Sequence, residues 1–275
     1  MTSPTLRPLS TGELLDLTFS LYRSHFALFV GIIAVTQLAL VAVQLLGLAL
    51  MPRPSGPFDI AGSLLWLPVV VLVTLAVTAA SQGATVVAVS HVYLGRPISV
   101  AASLAHIQGR IASLALTMIG IGLMVAAGLL LLVVPGVILS LMWAIVIPVA
   151  VLEHRSLFDA ASRSAALTKG DRLRVLVVYT LFALLVWIVS IVINLPLTVA
   201  AVLSGGVGAP GTTTVWVQVV GIVSSFATQC LVAPLMTIAF SLLYYDERVR
   251  KEAFDLELMM AAIDGQWEPV PEPGP

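Results

Sequence analysis

The sequence predicts an all-α fold, a polytopic membrane helix bundle, and three observations lead there. Of 275 residues, 59% are hydrophobic and only 10% are charged. The charges leave four long stretches empty, and the cations gather on one side of the layout those stretches define. A soluble domain carries about 25% charged residues, so a chain this poor in charge has a surface suited to hydrocarbon. Its formal net charge of -1 offers a nucleic acid no electrostatic footing.

An ionisable side chain at the bilayer centre costs roughly 2.5 to 3.5 kcal/mol. The uncharged stretches 24–52, 60–95, 111–152 and 175–245 are therefore the candidate spans. A crossing helix needs about 20 residues, so the first two stretches hold one helix each and the last two hold two apiece. Six transmembrane helices follow, in three hairpins. No short basic-then-apolar leader precedes the first span, and no cleaved signal peptide is expected.

In chain order, a cytoplasmic interfacial helix comes first, over 10–25. Ser10 and Glu13 form a capping-box pattern there, and Leu14, Leu15, Phe19 and Tyr22 recur at helical spacing. The first span covers about 27–50 and the second about 65–89, with a Pro- and Gly-rich turn between them. A second interfacial helix covers 99–110. The third and fourth spans, about 111–134 and 137–152, are divided by Val134-Pro135-Gly136-Val137. This pair either crosses twice or forms a re-entrant hairpin.

The third interfacial helix covers 156–169, with Asp159 in its first turn and Lys169-Gly170 as its stop. Spans at about 175–203 and 215–243 follow, around the turn 204–211. Pro148, Pro196 and Pro234 are positioned to kink the fourth, fifth and sixth spans. An amphipathic helix is expected over 253–263. Residues 1–264 thus read as one membrane domain, and 265–275 as a disordered acidic, Pro-rich tail.

Orientation follows from Lys and Arg. Of 13 cations, only Arg53 falls on the side opposite the amino terminus, which makes that terminus and the carboxyl tail cytoplasmic by the positive-inside rule. The expected location is the cell membrane. His25, His91, His106 and His154 also lie near the cytoplasmic boundary. Cys230 has no second cysteine to pair with and is expected to be a small buried hydrophobe.

Chemistry is sparse. Glu153-His154-Arg155-Ser156 lacks the glycine of a His-Arg-Gly phosphodiesterase hallmark and reads as a charged cap on the fourth span. Metal-ligand spacings, a serine nucleophile elbow and a P-loop lysine are all missing. No catalytic, metal or cofactor site is expected. Inside the spans the polar groups are neutral: Thr74, Thr78, Ser81, Gln82 and Thr85 on the second, Gln218, Ser225 and Gln229 on the sixth, Gln37 and Gln44 on the first, and Asn194 on the fifth. The cluster of Gln82, Gln229, Thr78, Ser225 and Asn194 is expected to act as interhelical glue, with a substrate path as the alternative.

Three segments carry a family resemblance: Gly12-Glu13-Leu14-Leu15-Asp16 with Leu21-Tyr22-Arg23-Ser24-His25-Phe26, then Ser162-Arg163-Ser164 to Lys169-Gly170, and Leu243-Tyr244-Tyr245-Asp246 through Arg248-Val249-Arg250-Lys251 to Leu256-Glu257. With these the chain resembles the actinobacterial glycerophosphoryl diester phosphodiesterase membrane domain family, departing from its pattern at Leu17 and Ser24, where basic residues are common. In some relatives this domain anchors a separate phosphodiesterase domain. The resemblance therefore implies a non-catalytic membrane domain.

The expected function is a membrane scaffold or anchor, with membrane lipids and cytoplasmic protein partners met through Arg163, Lys169, Arg172, Arg248, Arg250 and Lys251. The alternative is a permease or lipid-handling transporter for a neutral or amphipathic substrate. These readings separate on one point. Gln82 and Gln229 either converge on a cavity or bond across a packed helix interface.

Overall fold

The computed structural model describes residues 8–50, 60–203 and 215–252, the side chains of 60–65 excepted. Every regular element among them is helical: α1 (Thr11–Ser24), α2 (Phe26–Leu50), α3 (Ile60–Tyr93), α4 (Val100–Ile107), the 3-10 turn η1 (Gln108–Arg110), α5 (Ile111–Leu131), α6 (Val133–Met142), α7 (Val146–Leu152), α8 (Leu157–Leu167), α9 (Arg172–Leu203) and α10 (Val215–Glu252). Six segments are long and apolar enough to cross a membrane: Phe26–Leu50, Trp66–Tyr93, Val100–Leu131, Val133–Leu152, Arg172–Leu203 and Val215–Glu252. This is the architecture of a multi-pass membrane protein.

Local chemistry sets the helix ends. Ser10 Oγ accepts from Glu13 N at 3.2 Å while Ser10 N donates to Glu13 Oε2 at 2.7 Å, closing the capping box that starts α1. Ser99 Oγ caps α4 through Ala102 N at 3.2 Å. Past α8, Gly170 takes a φ of 99°, a left-handed conformation that glycine adopts without Cβ strain.

Two helices organise the bundle. α10 packs against α1, α2, α3 and α9, and α3 packs against α2, α4, α5, α7 and α10. The face α3 presents is small, with Ala79, Ala80, Ala84 and Ala88 all buried. A Cβ on Gly83 would stand 2.9 Å from the Leu114 side chain. Small residues let helix backbones approach closely, the usual basis of packing in lipid. Large side chains point outward instead, as Leu72, Leu123, Trp187 and Val192 do.

The division of the third charge-free stretch differs from the sequence expectation. The break falls at Leu132 (φ -160°, ψ 139°), and Val134, Pro135 and Gly136 belong to the first turn of α6. Proline is tolerated in a helix's first turn, where its missing N–H would have had no partner, so Pro135 marks a helix start rather than a loop. Gly136 then brings α6 onto α5, since a Cβ there would lie 2.6 Å from Leu129 N. A second interruption at 143–145 splits the fourth span into α6 and α7, and Pro148 lies in the first turn of α7 rather than mid-helix. At the carboxyl end α10 runs to Glu252, nine residues past the expected limit of 243. The helix expected over 253–263 and the tail 265–275 lie outside the described residues.

Candidate functional site

A partly open cavity of ≈ 450 Å³ lies among α2, α3, the α6–α7 junction, α9 and α10. Its polar lining comes from Gln37, Thr78, Ser81, Gln82, Ser190, Thr228, Gln229 and Thr237, and its apolar lining includes Ile33, Trp143, Met236 and Phe240. Gln37, Gln82 and Gln229 sit near the middle of three apolar segments, which puts the cavity deep in the bundle. Among the described residues no charged side chain lines it.

The polar groups divide by whether they are already satisfied. On α3 the hydroxyls bond to carbonyls of their own helix: Thr74 to Val70 at 2.7 Å, Thr78 to Thr74 at 2.7 Å, Ser81 to Thr78 at 3.0 Å and Thr85 to Ser81 at 2.7 Å. The stripe expected to bond across helices thus turns back on its own backbone. On α10, Thr228 and Thr237 do the same with Ser224 and Ala233. Gln37, Gln82 and Gln229 make no hydrogen bond to any described residue, and all three face the cavity.

Two residues of the expected cluster lie elsewhere. Asn194 Oδ1 accepts from Ser224 Oγ at 2.7 Å, joining α9 to α10, and its Nδ2 donates to Ser190 O at 2.8 Å. Here the interhelical glue is found. Ser225 is exposed and off the cavity. Sequence spacing missed Trp143 and Ala144 as lining residues, because nothing in 137–152 signals that the helix opens there.

The opening at 143–145 supplies further polar groups. Val146 N bonds to Trp143 O at 3.1 Å, which frees the carbonyl of Met142. Ser164 and Thr168 Oγ atoms take it up at 2.8 and 3.3 Å. Pro148 has no N–H, so Ala144 O, at the cavity wall, lacks its helical donor. A similar step occurs on α10. α10 stays helical through Pro234, whose missing N–H leaves Cys230 O without its helical donor, and the next carbonyl, Leu231 O, accepts from Tyr22 Oη of α1 at 2.8 Å.

At the carboxyl end of α10, ion pairs bind the segments together. Glu153 pairs with Arg155 at 2.7 Å and Arg163 at 3.1 Å, and accepts from Tyr244 Oη at 3.1 Å. Arg163 also meets Glu252 at 2.5 Å, and Arg248 meets Glu252 at 3.2 Å. The hydrogen bond to Glu252 is the main reason the Arg163 guanidinium is held above its ordinary pKa. Glu252, just past the apolar part of α10, is held below the ordinary carboxylate range by the same bond.

Asp246, fully buried, takes Arg174, Arg250 (2.8 Å) and the backbone N–H of Leu9 (2.6 Å). Lys251 reaches Glu247 at 3.0 Å, Asp171 at 3.3 Å and Lys169 O at 2.8 Å. Arg163, Arg248, Arg250 and Lys251 are thus neutralised within the chain. Lys169 is exposed, and Arg172 is half-buried with its Nε unbonded.

His154, with a φ of 56°, stands beside Arg110, whose guanidinium also donates to Ala150 O at 3.0 Å and Val151 O at 3.2 Å. The last carbonyls of α7 are thus capped by Arg110, while Glu153 turns to Arg155, Arg163 and Tyr244. Among the described residues no group of three or more His, Cys, Asp or Glu is placed to hold a metal ion. Cys230 is buried and free. Comparison with protein-family models, with curated proteins and with solved structures finds no match to this chain.

Proposed function

We propose that this chain is a permease or lipid-handling protein of the cell membrane that binds a neutral or amphipathic small molecule in the cavity between α2, α3, α7, α9 and α10. The observation that carries the reading is the convergence of Gln37, Gln82 and Gln229 on a cavity of ≈ 450 Å³ with their amides unpaired among the described residues. Ligand sites are commonly about 300 to 1,000 Å³, mostly apolar, with a few convergent polar groups. Carboxamides both donate and accept, so three of them, with Trp143 and Phe240 nearby, suit hydroxyls, esters or amides on an apolar body. An uncharged lining disfavours an ionic ligand.

In this reading the amino terminus and the carboxyl end of α10 face the cytoplasm. The three amphipathic helices α1, α4 and α8 lie at that face, each ahead of a helical hairpin, and the chain is a non-catalytic member of the membrane-domain family it resembles. The anchoring role draws on the concentration of cations at one face. Its support is reduced by the internal pairing of Arg163, Arg248, Arg250 and Lys251.

Trp143 lines the cavity and serves as a reporter once Trp66, Trp187, Trp216 and Trp267 are replaced by Phe. In lipid nanodiscs, a brominated monoacylglycerol is expected to quench Trp143 saturably. Gln82→Leu with Gln229→Leu removes two hydrogen bonds of about 0.5 to 1.5 kcal/mol each, which weakens binding by roughly tenfold. Quenching that rises linearly without saturation, and equally in the double variant, overturns the proposal.

A further inference from the structure

We infer that the α5–α6 hairpin is re-entrant: it enters the membrane from the α8 side, turns at Leu132 inside the hydrocarbon, and meets lipid acyl chains with its tip instead of emerging at the opposite surface. The inference is independent of the cavity and rests on where α8 crosses the hairpin.

α8 belongs at an aqueous boundary. Asp159 and Lys169 are exposed and the Arg155 side chain is 43% exposed, a set of charges too costly to hold in hydrocarbon. Arg163 ties α8 to Glu252 at 2.5 Å, at the charged end of α10 and past its apolar segment. Yet α8 meets the hairpin in its middle. Leu157 packs directly on Gly120 of α5, and Ser164 Oγ bonds to Met142 O of α6 at 2.8 Å.

From Gly120 to Leu131 the chain rises by eleven residues, about 16 Å at a helical rise of about 1.5 Å. From Met142 back to Val133 it rises by nine, about 14 Å. The hydrocarbon core is about 30 Å thick, so a hairpin anchored at α8 reaches about its midplane.

The tip is built for that depth. Leu130, Leu131, Leu132, Val133 and Val134 are 88%, 81%, 69%, 69% and 68% exposed, with no polar side chain among them. The segments 51–59 and 204–214, by contrast, carry in sequence Arg53, Ser55, Ser204 and three consecutive threonines. Backbone at membrane depth must find its partners internally, and this turn meets part of that demand, the N–H groups of Val133 and Val134 having no backbone acceptor among the described residues. Leu132 N donates to Gly128 O at 3.0 Å, Leu132 O accepts from Gly136 N at 3.4 Å, and Pro135 has no N–H to satisfy.

The test uses single cysteines in a Cys230→Ser background: Leu131→Cys at the tip, with Ser55→Cys and Thr213→Cys in the polar segments 51–59 and 204–214. In intact cells, a membrane-impermeant maleimide is expected to label Ser55→Cys and Thr213→Cys and to leave Leu131→Cys unlabelled. Leu131→Trp, with the native tryptophans replaced by Phe, is expected to be quenched most strongly by phospholipid brominated near the chain ends. Labelling of Leu131→Cys to the extent of Ser55→Cys overturns the inference. So does disulfide cross-linking of Leu131→Cys between copies without lipid quenching, which would put a second chain at the tip. The tryptophan measurement stands alone if the cysteine variants fail to assemble.

Discussion

Replacing Arg163 with Ala tests whether the cytoplasmic cations hold the chain together or await a partner. The guanidinium lies 3.1 Å from Glu153 and 2.5 Å from Glu252, with side-chain exposures of 22%, 13% and 27% respectively. Breaking a fully buried pair costs about 3 to 5 kcal/mol, whereas an exposed one is worth about 0 to 1. Three groups this sheltered fall between those limits, at about 2 kcal/mol. For a chain of this size each kcal/mol lowers Tm by about 2 to 4 °C, so the variant should melt about 4 to 8 °C lower in detergent. A cycle with Glu252→Gln isolates the pair and should return a coupling of about 1 kcal/mol. Melting indistinguishable from the parent, with zero coupling, would refute the argument that this face is internally neutralised.

Gly136→Ala sets a methyl 2.6 Å from Leu129 N and should cost about 1 to 3 kcal/mol by overpacking, while Gly122→Ala, with nothing within 4 Å, should be close to neutral in the same melting assay. Tyr22→Phe removes the donor to Leu231 O and should lower stability by about 1 kcal/mol, detectable as faster proteolysis ahead of α2. The Glu252 carboxyl is held low in the folded chain, so its contribution is complete above the ordinary carboxylate pKa of about 4.3 and fades as pH falls through the depressed value. The stability lost by Arg163→Ala should shrink over that acid range. A deficit that stays constant with pH would assign it to lost packing instead.

The six long apolar helical segments and their approximate limits were legible in the sequence because charge is excluded from hydrocarbon whatever the tertiary fold. So were the starts of α1 and α4, since the caps at Ser10 and Ser99 act within four residues. The α5–α6 junction was not. Pro135 and Gly136 carry the composition of a loop, and only the close approach to Leu129 shows that they open a helix instead. For the site, spacing put Gln82 and Gln229 inside the bundle, yet it could not separate the α3 hydroxyls, which turn back on their own helix, from these glutamine amides, which do not. Asn194 lies off the cavity, bonded to Ser224, because a rotation of α9 about its axis leaves no trace in composition. The ion pairs of Arg163 and Lys251 join segments roughly 80 residues apart, beyond any local pattern.

Leu9 is gripped by Asp246 through its N–H and by Arg174 and Arg250 through its carbonyl. The segment leading into α1 and the carboxyl end of α10 therefore share one location, though 237 residues separate Leu9 from Asp246. Reporter halves fused ahead of Leu9 and behind Glu252 would be delivered side by side, and their reassembly would register whether the bundle has closed.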